Sequence, residues 1–318
     1  VSASSPATVT AVGIGGIILR STNGGTTWFT QSSGTTNHLY GVSFVSAGFG
    51  TAVGLGGVIL HTTDGGTTWA PQTSGTINHL NSVSFIDAEI GSAVGSDGTI
   101  LRTTDGGSNW SSQVSGTSSH LMGVSLYATN KGMAVGVSGV IRYTTDGGST
   151  WNNASSGTTD HLYGVSAAGT DNGWIVGRSG TLLSTADGGA TWESQVTGTR
   201  NRLKGVSFTS ESTGTVVGEA GTILRTTDGG KVWETQYGGS FVNFNDVQFL
   251  DANRGTIVGD EGTIIQTTDG GVTWEPRESK TGSVLLAVHF PDDTTAFAVG
   301  TEGTIRGTRD GGVTWDDR

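Results

Sequence analysis

The sequence predicts an all-β fold, a β-propeller of eight four-stranded antiparallel blades with one 41-residue repeat per blade. Three observations carry that prediction. Trp28, Trp69, Trp110, Trp151, Trp192, Trp233, Trp274 and Trp315 recur every 41 residues without an insertion or deletion, and only Trp174 stands outside the series. Each of the eight closes a near-copy of one phrase, "TTDGGTTW" at residues 62–69. Within one period, four short β-prone runs alternate with turn residues, and no stretch shows the 3.6-residue apolar period of a helix. A period near 40 residues marks stacked units, each unable to bury its apolar face alone. The chain therefore reads as one domain, 1–318, with blades at approximately 1–36, 37–77, 78–118, 119–159, 160–200, 201–241, 242–282 and 283–318.

The strands follow in order. Residues 39–74 contain "LYGVSF", "GTAVG", "GVILHTT" and "TWAPQ", separated by turn residues. The first-strand formula recurs near residues 41, 82, 123, 164, 205, 246 and 287. One further step back, Val1-Ser2-Ala3 matches Val165-Ser166-Ala167, so the sequence starts inside a first strand and stops inside a fourth, at "TWDDR". Seven blades with a surplus N-terminal segment is the rival count. Second and third strands are joined by V-G-x-x-G, from "VGIGG" to "VGTEG". Its flanking glycines are expected to supply the positive φ of a very short hairpin, leaving the two x residues free to vary.

Composition narrows the function. The 55 glycines and 14% charged residues would suggest a linker if the apolar positions were not periodic. The net charge is −11, and no Lys/Arg cluster offers phosphates a basic face, which argues against nucleic acid. Residues 1–160 carry 4 basic and 7 acidic side chains, and residues 161–318 carry 12 and 20, so the first half is a nearly uncharged Ser/Thr/Gly surface. The absence of cysteine excludes disulfides and thiolate metal sites. No apolar run reaches spanning length, so no membrane insertion is expected. A start at Val1 without a signal-peptide pattern reads as a mature or excised polypeptide.

The repeated phrase, with Asn23, Asp64, Asp105, Asp146, Asp187, Asp228, Asp269 and Asp310 ahead of its tryptophans, resembles the Asp-box, or bacterial-neuraminidase repeat. That motif marks the turn between third and fourth strands of many propeller blades. Its chemistry is local: the carboxylate (an amide at Asn23) accepts N–H groups of its own turn, and the indole packs between sheets. Calcium needs six to eight oxygens, so a structural latch is expected, with no metal or cofactor.

Sialidases share the Asp-box, and their resemblance implies an arginine triad and a Tyr–Glu pair. Here Arg20, Arg102 and Arg225 occupy one repeat-equivalent position, and none of Pro6, Pro71, Pro276 and Pro291 lies in an Arg-Ile-Pro-type motif. The one dense acidic pair in a variable loop, Asp260-Glu261, sits at a hairpin tip rather than across a cleft. No enzyme is expected. His38, His79, His120 and His161 recur in four consecutive repeats, with Arg202 and Asn243 at the next two equivalent positions. Neighbouring sheets hold equivalent residues about 10 Å apart, too far for shared ligation at about 2 Å, so these side chains read as loop braces.

Residues 205–233 and 246–274, "GVSFTSESTGTVVGEAGTILRTTDGGKVW" and "DVQFLDANRGTIVGDEGTIIQTTDGGVTW", are similar to the photosystem II assembly and stability factor family. That resemblance implies a noncatalytic scaffold with a binding role, in or near the thylakoid lumen, usually with seven blades and an Arg-rich patch. An acidic chain with eight repeats departs from it on both counts. The expectation is therefore a secreted or cell-surface binding or scaffold propeller, extracellular or periplasmic. A structural surface or filament subunit is the alternative, and a carbohydrate-binding or glycoside-acting propeller a further one. A protein partner or self-assembly is expected, with a glycan as a further partner. The candidate binding face carries the tips and the blade connections: His38, His79, His120, His161, Arg178, Arg202, Glu219, Asp260, Glu261 and Glu302. Its tips change from neutral (Ile14, Leu55, Val137) to charged along the chain, forming an acidic arc suited to a basic partner.

Overall fold

A computed structural model of the chain describes residues 1–5, 7–128 and 130–318, so Pro6 lies outside the described residues. Eight four-stranded sheets form, each with its strands in sequential order, as an eight-bladed β-propeller rather than a seven-bladed one. The second blade is representative: Leu39–Phe44, Gly50–Gly54, Ile59–Thr62 and Ala70–Gln72, every neighbour antiparallel. Ser2–Ala3 opens the first blade and Asp316–Asp317 closes the eighth, as the repeat phase requires. No helix among the described residues is long and apolar enough to cross a membrane.

The chain divides into two compact units. One comprises Val1–His161 with Asp187–Trp192, and so holds the first four blades and the Asp-box of the fifth. The Tyr127 hydroxyl ties that Asp-box down by donating to the Gly188 carbonyl at 3.1 Å. The other unit, Leu162–Ala186 with Glu193–Arg318, holds the remainder of the fifth blade and the last three.

Sheets pack face to face, which is why second strands such as "GTAVG" are buried throughout, their one polar side chain included. In the first unit Val53 and Ile59 meet Leu80, Val83, Ala93 and Leu101 of the next blade. In the second, Val217 and Ile223 meet Phe244, Val247, Ile257, Ile265 and Trp274. First strands of successive blades also face each other. Ser84 Oγ accepts the Leu126 N–H at 3.0 Å, and Ser207 Oγ accepts that of Phe249 at 3.2 Å.

The Asp-box is a latch built from its own residues. Asp64 Oδ1 accepts from Thr62 Oγ1 at 2.9 Å and the Thr68 N–H at 2.9 Å, while Oδ2 accepts from Thr68 Oγ1 at 2.7 Å. These donors outweigh the opposing desolvation and hold the Asp64 carboxyl down at about 2. Every oxygen is committed to the turn, and no group of three or more His, Cys, Asp or Glu among the described residues could hold a metal. The Gly65 N–H bonds the Gly48 carbonyl at 2.8 Å, fastening the latch to the loop between first and second strands. Trp69 is buried with its indole N–H on the Gly66 carbonyl at 3.2 Å and Phe44 edge-on at 5.9 Å. Asp146 makes the same set of bonds, to Thr144 and Thr150. Asp146→Ala is expected to cost about 1–2 kcal/mol through unpaired turn donors, read as a shift in the urea midpoint. An unchanged midpoint would show that the latch is held without its carboxylate.

The repeat-phased arginines have a function that spacing did not reveal. Arg20, Arg102 and Arg225 donate Nε to Gly65, Gly147 and Gly270 carbonyls of the next Asp-box, at 2.5, 2.8 and 2.7 Å. Gln266 does the same for Gly311. Where the fifth blade has Ser184 at this position, Trp174 supplies the tie instead. Its indole reaches the Gly229 carbonyl at 3.2 Å from a buried site stacked on Phe208. The odd tryptophan is a substitute fastener between blades.

Candidate functional site

Antiparallel order places the tip between second and third strands, and the connection to the next blade, at one end of each sheet. The Asp-box lies at the other end. The tip geometry differs from the expectation of two flanking positive-φ glycines. The leading glycine is extended (Gly54, φ −170°), whereas the second x and the closing glycine are both left-handed. Asp97 (53°), Ser138 (56°), Ser179 (55°), Ala220 (52°), Glu261 (57°) and Glu302 (58°) occupy that strained second position without being glycine. The closing glycine is obligatory for a further reason. A Cβ on Gly57 would lie 2.1 Å from the Thr76 carbonyl oxygen, where the next connection crosses the tip.

That crossing explains the histidines. His38, His79, His120 and His161 each accept, at Nδ1, the N–H of the left-handed residue in the preceding tip. The donors are Gly15 (3.0 Å), Gly56 (3.1 Å), Asp97 (3.0 Å) and Ser138 (3.1 Å). Asn243 Oδ1 makes the equivalent bond to the Ala220 N–H at 3.0 Å. At Asp97, Ser138 and Ala220, which are not glycine, the brace supports a left-handed turn that costs about 1 kcal/mol, whereas Gly15 and Gly56 adopt it without strain.

In the second unit the charged tips gather into a network. Arg202, at the brace position but unable to accept, lies over the Tyr163 ring at 5.5 Å and places Nε 3.6 Å from Glu219. Lys204 donates to Asn245 Oδ1 at 2.8 Å. Asn245 and Asn243 in turn donate to the two oxygens of Asp260, at 2.9 and 2.8 Å. Glu302 Oε2 accepts from Ser283 Oγ at 3.3 Å. Arg178 and Glu261 are exposed tip residues outside these bonds. Of the predicted site residues, the structure thus joins Arg202 with Glu219, while Asp260 is bonded to Asn243 and Asn245, which were not among them.

Sequence reasoning missed the residues two places after each brace: Tyr40, Asn81, Met122, Tyr163, Lys204, Asn245 and Leu286. They begin the first strands beside the tips, and Tyr40, Met122 and Leu286 expose 47%, 40% and 53% of their surface, too much for core positions. Their signal was present in the sequence, since this position varies freely beside the apolar residue before it.

Fold and repeat together define an Asp-box β-propeller of the BNR type, braced between blades. The family model described as photosynthesis system II assembly factor YCF48 matches residues 20–118, 72–157, 112–199 and 238–283, more than half of the chain, and the chain belongs to that family. A structure of YCF48 bound to D1 peptide shares 23% identity at a TM-score of 0.68, covering 86% of this chain and 92% of the other. YCF48 from Cyanidioschyzon merolae shares 22% at 0.66, covering 86% and 95%. The computationally designed Ika8 protein reaches 0.74 at 14% identity, covering 89% and 87%. At such identities these structures establish the fold alone. No curated protein matches the chain. The expected extracellular, cell-surface or periplasmic location is overturned. Membership in a photosystem II assembly-factor family points to the thylakoid region of cyanobacteria or chloroplasts, not to secretion. Its eight repeats and acidity, which had argued against that family, are variations within it.

Proposed function

We propose that the chain is a noncatalytic protein-binding propeller that takes a polypeptide segment on its tip-bearing surface. The observation that carries this reading is the network of Tyr163, Arg202, Glu219, Lys204, Asn245 and Asp260. It presents aromatic, cationic and anionic groups side by side at the start of the first strands. Such a mixture suits a peptide backbone and its side chains. The D1 peptide held by the related YCF48 structure supports a polypeptide as the partner class. Asp260 is engaged by two amides rather than poised opposite a second carboxylate, which favours recognition over acid–base chemistry.

Tyr163→Ala with Lys204→Ala, and separately Glu219, Asp260, Glu261 and Glu302 all replaced by Ser, are to be compared with the unaltered chain by calorimetric titration with a D1-derived peptide and by pull-down from thylakoid extract. Losses of about ten-fold or more in affinity are expected, as for removal of a central aromatic or paired charge. The acidic variant should also lose the salt dependence of binding. Unchanged affinity and recovery at low salt in both variants would remove this surface from consideration.

A further inference from the structure

We infer that the four histidine braces form a proton-sensitive release for the tips of the first four blades. A neutral imidazole can accept at Nδ1 only as the tautomer whose proton sits on Nε2. The bonds from Gly15, Gly56, Asp97 and Ser138 therefore fix that tautomer in all four rings. Protonation puts a hydrogen on Nδ1, where it confronts the tip N–H. The brace is then replaced by two opposed donors. At Asp97 and Ser138, held at positive φ without being glycine, the same event also frees a strained turn. Lowering the pH from 8 to 5 spans the range in which histidine side chains take up a proton.

The surroundings differ from brace to brace. Asp97 has a carboxylate oxygen 3.7 Å from His120 Nδ1, so a protonated His120 exchanges its brace for an ion pair. Tyr40 packs edge-on to His38 at 6.4 Å, Asp160 precedes His161 in the chain, and the tips beside His38 and His79 are Ile14-Gly15 and Leu55-Gly56, with no charge of their own. The second unit contains the natural contrast. Asn243 holds the Ala220 N–H with an amide oxygen that no pH in this range removes. One chain thus carries four imidazole braces and one amide brace.

The test is amide hydrogen exchange by NMR on the full chain between pH 8 and 5, each rate divided by its intrinsic value at that pH. Protection of the Gly15, Gly56, Asp97 and Ser138 amides should fall about five-fold or more as the braces are lost, while that of Ala220 stays level. Replacing His38, His79, His120 and His161 with Asn should flatten the four responses. His79→Asn alone should do so at Gly56 if the fourfold variant folds poorly. The inference fails if the four amides keep their protection at pH 5, if Ala220 falls with them, or if the Asn variants respond like the unaltered chain.

Discussion

Trp151→Ala is expected to destabilise the protein by about 3–5 kcal/mol, the range for emptying a buried aromatic site. The indole is 8% exposed and lies between two sheets, against Val94 and Ile100 of one blade and Leu121, Val124, Leu126 and Ala134 of the next. Its removal opens a cavity that neither sheet can close, because each is held in register by its own ladder. Trp151→Phe should recover more than half of the loss by restoring most of the apolar contact. Urea unfolding measures both. A midpoint for Trp151→Ala equal to that of the unaltered chain would mean that the latch tryptophans do not hold the sheets together.

Between pH 4 and 6.5, Asp246→Asn and His289→Gln should tilt the stability profile in opposite directions. Asp246 stands where most repeats have a small residue, and its carboxylate accepts the N–H of Val247 at 2.9 Å and of Val288 in the next first strand at 2.9 Å. The group keeps partial solvent access, yet enclosure by protein dominates and pushes its carboxyl up to about 6. Burial likewise pushes His289, at the end of the neighbouring first strand, down to about 4. The signs follow from linkage. Asp246 stabilises fully below its unfolded pKa near 4, and that contribution is lost as the pH rises through 6. His289, neutral in the fold, contributes fully above about 6.5, and its contribution is lost as the pH falls through 4. Each amounts to about 3 kcal/mol, so the two nearly cancel in the unaltered chain. Asp246→Asn should leave stability falling by about that amount from pH 6.5 to 4, relative to the unaltered protein, and His289→Gln should leave it rising. Parallel profiles for the three proteins would show that neither group titrates as its enclosure requires.

The sequence by itself determined the architecture, because architecture here is periodic. A 41-residue interval repeated without exception specified blade count and phase, and both end strands formed where that phase put them. The Asp-box was equally legible, since its bonds lie within five residues and local hydrogen bonding needs no tertiary partner. The histidines could be read as braces, but not what they brace. That partner is a backbone N–H 23 residues earlier, in a different blade, and at Asp97 and Ser138 it belongs to a residue whose positive φ its name does not reveal. Arg102 could be read only as one of three repeat-equivalent arginines, and it is a tie to the next Asp-box, 45 residues on. Asp260 could be placed at a hairpin tip in an acidic arc, but not in the grip of two asparagines from the connection and first strand of its own blade. A repeat shows what recurs at one position. Which side chain of one blade meets which backbone atom of the next is set by the offset between stacked sheets, and only the tertiary structure decides that.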